Sequence, residues 1–251
     1  MTVSRDWRDR TILAYLDEPP FCAPRPDGDP VGCDIEVADH VLRDAGVRQV
    51  VFELAAFWEL IPGLIGGRWH IATPMFVTPE RAMQIRYSRP VWAALDGFIV
   101  RAGDEQTYTS YEAIATHPGA RLAVVVGQVQ RETALHAGVR AEQIVEFADQ
   151  DAAAFAVKSG DADASASTAP GNRAFIERAG DPTIGATPDR PDRPRGGDTP
   201  CGAYSFSRDA VDLATAFDRG LGRYLGTTEH LETMARYGFT RHELAPALHC
   251  G

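Results

Sequence analysis

Phe76 and Arg81 place a flat apolar ring and a planar cation close together on the stretch Gly67–Pro90, GRWHIATPMFVTPERAMQIRYSRP. Thr78 supplies a hydroxyl that can cap a helix, Pro79 suits the first helical position, and Arg81 follows in the same turn. The unpaired N–H groups of such a helix start and a guanidinium favour a carboxylate held by parallel hydrogen bonds. The face of Phe76 suits a cationic part of the same ligand. A zwitterion needs a cation for one end, an acid for the other and flat surfaces for a ring, and Arg81, Glu18, Phe21 and Phe76 supply those types. Each has a plainer reading beside this one. TPER also describes a capped helix with a solvated arginine, Glu18 before Pro19 and Pro20 fits an acid on an exposed turn, and Phe21 and Phe76 fit a core.

These residues hang on alternating strands and helices. The pattern predicts strands at 11–16, 49–54, 71–72, 122–126, 144–147 and 162–167. Helices are expected at 35–45, 58–65, 111–116, 130–137 and 151–159, after Thr78, and from Asp209 and Thr228. This βαβα order implies an α/β fold of two lobes with mainly parallel sheets. The chain crosses into the second lobe near 98–101 and returns near 203–206, so lobe 1 is 1–100 plus 204–251 and lobe 2 is 101–203. Residues 188–200, PDRPDRPRGGDTP, read as a breaker-rich loop without periodicity.

Composition narrows the function. A chain of 251 residues with 44% hydrophobic and 24% charged residues is ordinary for a globular protein with real cores. A net charge of -10, with no basic patch interleaved with aromatics, sets nucleic acid aside. Lys158 is the sole lysine, and before Ser159 and Gly160 it reads as a helix-end cation rather than a Schiff-base nucleophile. No apolar run is long enough to span a membrane. The start MTVSRDWRDR lacks the pattern of a secretory leader. It fits an envelope protein whose leader has been removed and a cytoplasmic protein beginning at Met1 equally. Cys22 and Cys33 flank a turn-rich segment and are compatible with a disulfide or with free thiols, as is a pairing of Cys201 with Cys250. No cysteine or histidine spacing suggests zinc, and no cofactor is implied.

Several collinear segments resemble one family. They are GCDIEVA at Gly32–Ala38, WELIPGLIGGR at Trp58–Arg68, Thr78–Arg81, YSRP at Tyr87–Pro90, GQVQ at Gly127–Gln130, KSGDAD at Lys158–Asp163, and Phe217–Phe239. Together they resemble the amino-acid branch of extracytoplasmic solute-binding proteins, the receptor subunits of ABC importers. The resemblance implies a periplasmic-binding-protein type II fold, two hinged α/β domains with a ligand cleft between them, and an ABC transporter permease as partner. Within that family EPPF at Glu18–Phe21, Phe76, and HPGARLAVVVG at His117–Gly127 are most similar to ectoine- and hydroxyectoine-binding proteins.

The resemblance turns Glu18, Phe21, Phe76 and Arg81 of lobe 1 toward ligand contact and adds Gln128, Val129 and Thr168 of lobe 2. Thr168 stands where most amino-acid receptors carry an aspartate for an α-ammonium, which favours a ligand whose positive charge is delocalised. Gln128 and Val129 replace the usual threonines, and His70 a usual aspartate. A small zwitterionic molecule is the expected ligand. The rival expectation is an enzyme on the same scaffold performing dehydration or cyclisation, with Glu18 as general acid or base, Arg81 as substrate clamp, and His70 or His136 nearby. A ligand sensor would use the same pocket.

Overall fold

The computed structural model describes residues 6–26, 28–188, 199–240 and 243–244. These divide into two compact units, one running to Ala93 and resuming at 199, the other beginning at Ala94. Most of the breaker-rich loop, residues 189–198, and Cys250 lie outside the described residues.

The first unit contains β1 (Thr11–Tyr15), β2 (Ala23–Arg25), β3 (Gly28–Val31), α1 (Cys33–Asp44), β4 (Val50–Leu54), α2 (Leu60–Ile65), β5 (Ile71–Ala72), α3 (Pro79–Ala82), β6 (Ile85–Tyr87) and β7 (Trp92–Ala93). The second contains β8 (Asp96–Arg101), α4 (Tyr111–Ala115), β9 (Leu122–Val125), α5 (Gln130–His136), β10 (Ile144–Phe147), α6 (Gln150–Ser159), β11 (Ala164–Thr168), α7 (Ala169–Ala179) and β12 (Ile184–Ala186). The chain then returns to the first unit with β13 (Cys201–Gly202), β14 (Ser205–Ser207), α8 (Val211–Tyr224) and α9 (Thr228–Arg236).

Each unit is built on a five-stranded sheet, in the orders β4-β1-β5-β14-β6 and β10-β9-β11-β8-β12. The expected α/β class holds, but the sheets are mixed rather than mainly parallel. β1 is parallel to β4 and β5, while β14 is antiparallel to β5 and β6. Likewise β9 is parallel to β10 and β11, while β8 is antiparallel to β11 and β12. The antiparallel strands β8 and β14 lie where the chain passes between units, so they are not products of a βαβ crossover.

Side-chain alternation explains the two-sided core of the second unit. Phe98 and Val100, with Leu122 and Val124, enter one cluster with Tyr111 and Ile114, whereas Ile99 and Ala123 enter another with α6 residues Ala153 and Val157. Such strands bury both faces and read as the continuous run LAVV. In the first unit Ile12, Ala14 and Leu16 join Leu60, Leu64, Trp69 and Met75. Gly32 is required by contact as well as conformation. Its φ is +133°, and a Cβ there would lie 2.0 Å from the Phe21 carbonyl oxygen.

Helix α7 has no counterpart among the expected elements. Its opening APGN reads as breakers, yet Thr168 caps it, proline stands in its first turn and Gly180 ends it in the left-handed conformation. The helix expected from Trp58 instead starts as a 3₁₀ turn at Phe57–Glu59. Cys22 and Cys33 are buried free thiols, and Cys201 is half-buried. Among the described residues no helix is long and apolar enough to cross a membrane, and no cluster of His, Cys, Asp and Glu could hold a metal.

His230 on α9 is fully buried; its Nδ1 accepts the Gly226 N–H at 3.2 Å, and its Nε2 has no hydrogen-bond partner among the described residues. Burial lowers its pKa to about 4. The folded protein therefore resists a proton that the unfolded chain accepts at ordinary histidine values, so stability is lost as pH falls from about 6.5 toward 4, by at most roughly 3 kcal/mol. His230→Gln keeps an acceptor for Gly226 and should flatten the loss of denaturation midpoint across that window. An unchanged acid slope in urea melts would remove this role from His230.

Candidate functional site

The local expectation at Thr78 is met: its Oγ1 accepts the Arg81 backbone N–H at 3.3 Å, and Pro79 opens α3. But α3 is a single turn, so it carries little macrodipole, and the guanidinium must supply most of any attraction for an anion. Arg81 is half-buried. Its Nη1 donates to the Phe76 carbonyl at 3.0 Å, and its guanidinium lies 5.1 Å from the centre of the Phe57 ring. Tyr87 also hydrogen-bonds Arg81 and donates its hydroxyl to the same Phe76 carbonyl at 3.1 Å. Burial lowers the Arg81 pKa from its usual value while Tyr87 opposes that shift. The structure thus brings Arg81 and Phe76 together through the main chain rather than through a ring-on-cation contact.

The aromatic residues centre on Trp92. Phe21 meets the indole at 4.5 Å between ring centres and Phe76 meets it edge-on at 5.4 Å. Gly202 lets the backbone lie against the indole, since a Cβ there would come within 2.1 Å of it. Phe76 also bridges Gly202 in a short antiparallel contact. Phe21 is wholly buried, with Phe239 on another side at 5.6 Å, and Phe76 is nearly so.

Glu18 is not an exposed turn acid. It is buried, pairs with Cys22 in an isolated antiparallel bridge, and its carboxyl is pushed up to about 7 by burial and then by the charge of Asp34. Asp34 itself, at the start of α1, is buried and receives hydrogen bonds from Trp92 Nε1 at 2.9 Å and from Thr73 Oγ1. Burial raises it to about 6 against the lowering effect of bonds from Thr73, Trp92 and Cys33. His70 accepts the Ile12 N–H at its Nδ1, 3.0 Å away.

In the second unit Gln128 and Val129 follow Gly127, whose φ of +80° turns the chain out of β9. Both are half-buried, and Val129 forms the N-terminal boundary of α5. Thr168 is buried, and its Oγ1 accepts the Gly171 N–H at 3.1 Å. Opposite Thr168 in the β11–β8 register stands Asp96, which accepts from Tyr111 Oη at 2.7 Å and Gln130 Nε2 at 2.8 Å. Burial raises Asp96 to about 6, and the two donors lower it.

A family model described as bacterial extracellular solute-binding proteins, family 3, matches residues 11–239. The chain belongs to that family. Across 242 residues this family 3 protein is 29% identical to a probable amino-acid ABC transporter periplasmic-binding protein, y4tE, of Sinorhizobium fredii (strain NBRC 101917 / NGR234), covering 95% of this chain and 80% of that one. A crystal structure of EhuB in complex with hydroxyectoine matches with a TM-score of 0.84 at 26% identity, over 95% of this chain and 91% of the other. An amino acid ABC transporter substrate-binding protein, AbpA from Streptococcus pneumoniae bound to L-arginine, matches with a TM-score of 0.78 over 95% of both chains. At 20% identity that likeness speaks for the fold alone.

Sequence reasoning passed over three residues of this family 3 protein that organise the surroundings of the candidate residues within their own units: Asp34 and Trp92 in the first, Asp96 in the second. Asp34 had a readable signal. It stands in the first turn of a helix whose flanking Cys33, Ile35 and Val37 are all buried, where an acid must find donors. Trp92 and Asp96 had none, because their partners lie 58 and 34 residues away in sequence. The Thr168 hydroxyl serves α7 directly. Thr168→Ala should lower stability by about 1 kcal/mol in chemical melts, the usual cost of losing a helix cap. A neutral result would show that water replaces the hydroxyl.

Proposed function

We propose that this family 3 protein captures a small zwitterion bearing a cyclic amidinium and a carboxylate, of the ectoine or hydroxyectoine kind, outside the cytoplasmic membrane and hands it to the permease of an ABC importer. The observation that carries this reading is the set of groups in the first unit. A guanidinium at Arg81, a buried carboxyl at Glu18 and an aromatic wall of Phe76, Trp92 and Phe21 supply all that such a ligand needs. The likeness to EhuB in complex with hydroxyectoine supports it, as does the name of the Sinorhizobium relative for the importer and the compartment.

In this reading Arg81 takes the ligand carboxylate in a charge-assisted, two-pronged hydrogen bond, and Glu18 faces the amidinium. The Phe76 ring covers the heterocycle, with Trp92 and Phe21 fixing its tilt. From the second unit, Gln128, the Val129 backbone and Thr168 complete the contacts. A ligand touched by residues of both units favours the arrangement in which both reach it, and its differential affinity for that state is what an importer would read.

Calorimetry with hydroxyectoine, ectoine, proline, glycine betaine and arginine tests this, with mass spectrometry of the recovered ligand. Ectoine-type ligands should bind with micromolar affinity and return unchanged. A chemically altered ligand would move the assignment to an enzyme with Glu18 as its acid or base. Arg81→Ala should weaken binding by about 3 kcal/mol, roughly a hundredfold, because a buried carboxylate loses its charged partner. Retained affinity would place the carboxylate elsewhere. Glu18→Gln should weaken cationic rings selectively, and an equal loss for an uncharged ring would contradict its assigned role.

A further inference from the structure

We infer that Asp34 is a positioning residue for Glu18: its fixed, buried carboxylate bears on the neighbouring Glu18 carboxyl so that capture of a cationic ligand expels a proton from Glu18. This rests on the proposed zwitterion reading, which makes Glu18 the partner of the ligand cation.

The geometry joining the two acids is a set of backbone bonds. Glu18 donates its N–H to the Cys22 carbonyl at 2.9 Å, and the Glu18 carbonyl accepts from Phe21 and Cys22 at 3.1 Å each, closing a tight turn. Two bonds pin that turn to the start of α1: Cys33 N–H to the Pro20 carbonyl at 3.0 Å, and Asp34 N–H to the Phe21 carbonyl at 3.1 Å. The Asp34 side chain is held in turn. Thr73 Oγ1 donates to one oxygen, Trp92 Nε1 to the other at 2.9 Å, and the Cys33 thiol approaches at 3.5 Å. The Asp34 carbonyl accepts from Tyr204 Oη at 2.6 Å. The Asp34 carboxylate cannot turn away without breaking its bonds from Thr73 and Trp92, and the main chain that carries Glu18 is pinned to the start of α1.

Among the described residues the Cys22 thiol faces both acids, the Cys33 thiol and the Tyr204 phenol face Asp34, and Asp17 and Tyr15 lie beyond Cys22. Burial raises both thiols and both phenols, so they stay protonated near neutral pH. Two donors on Asp34 favour its ionised form, which leaves Glu18 as the member of the pair that keeps a proton longer, to about pH 7. Both acids are raised in the fold. The stability they contribute is therefore complete below ordinary carboxylate values and lost as pH rises through about 6 and then 7. A ligand cation relieves that cost. The step balances as protonated Glu18 plus cationic ligand giving an ion pair and one proton released to solvent.

Side-chain carboxyl ¹³C NMR of the ligand-free protein reads the coupling directly. Glu18 should titrate near pH 7 in the wild type, and its midpoint should move toward the ordinary carboxylate range in Asp34→Asn. Asparagine can keep both contacts, accepting the Trp92 N–H and donating to Thr73 Oγ1, so the change removes charge and spares geometry. Calorimetry with hydroxyectoine in buffers of different ionisation enthalpy should show proton release near pH 6. Affinity should fall about tenfold per pH unit below the midpoint. In Asp34→Asn the release should shrink and the fall should shift to lower pH.

A wild-type Glu18 that titrates as an ordinary surface acid overturns the inference whether or not Asp34→Asn folds. So does hydroxyectoine binding with no proton released, or an Asp34→Asn midpoint equal to the wild type, and in both cases the ligand assignment survives. A shifted Glu18 midpoint with no binding across the whole panel supports the coupling and overturns the ligand assignment instead.

Discussion

A buried carboxylate with fixed donors is the constraint on which the first unit depends. Asp34 has no exposed surface to speak of, and an ionised acid in that position is tolerable only with donors on its oxygens. Thr73 and Trp92 meet that demand, and main-chain bonds of the same residue add the Phe21 carbonyl of the 18–22 turn and the Tyr204 hydroxyl before β14, so that five parts of the chain, with the start of α1, meet at Asp34. The 18–22 turn and the Trp92 strand carry, and the Thr73 loop leads to, residues proposed for ligand contact. The acid thus organises the site without itself having to touch a ligand.

The second unit solves a related problem with different parts. Asp96 lies at the start of β8, directly across from Thr168, and is satisfied by a phenol and an amide rather than by an indole and a hydroxyl. Both units also place a threonine with a proline close behind it at a helix start, Thr78 before α3 and Thr168 before α7. In each case the hydroxyl satisfies a first-turn backbone N–H that has no partner within the helix. The repeated use of one local device makes these segments rigid, which a binding surface needs if its groups are to be held ready.

The assigned ligand groups differ in how freely they can act. Arg81 is half-buried and its guanidinium is tied to the Phe76 carbonyl and to Tyr87, so its direction is set by the main chain of the residue whose ring is proposed to cover the ligand. Phe21 is committed to the core on two sides, and its contribution is the orientation of Trp92. Glu18 is committed by backbone bonds while its carboxyl charge is governed by neighbours. Affinity in this scheme comes from groups already in place rather than from rearrangement of the first unit.

Local chemistry made much of this legible from residues alone. Thr78 and Pro79 capped a helix as their types require, the apolar run at 122–125 became a buried strand, and the collinear motifs marked the family, because each of these signals acts within a few residues. Helix α7 obeyed the same capping rule, and its glycine, asparagine and proline concealed it only because breakers inside the first turn resemble breakers in a loop. Tertiary structure alone decided that the sheets are mixed, that Glu18 is buried beside Asp34, and that Trp92 joins Phe21 to Phe76. Those outcomes depend on contacts between residues far apart in sequence, and a carboxyl's burial and charge are properties of neighbours that spacing along the chain does not encode.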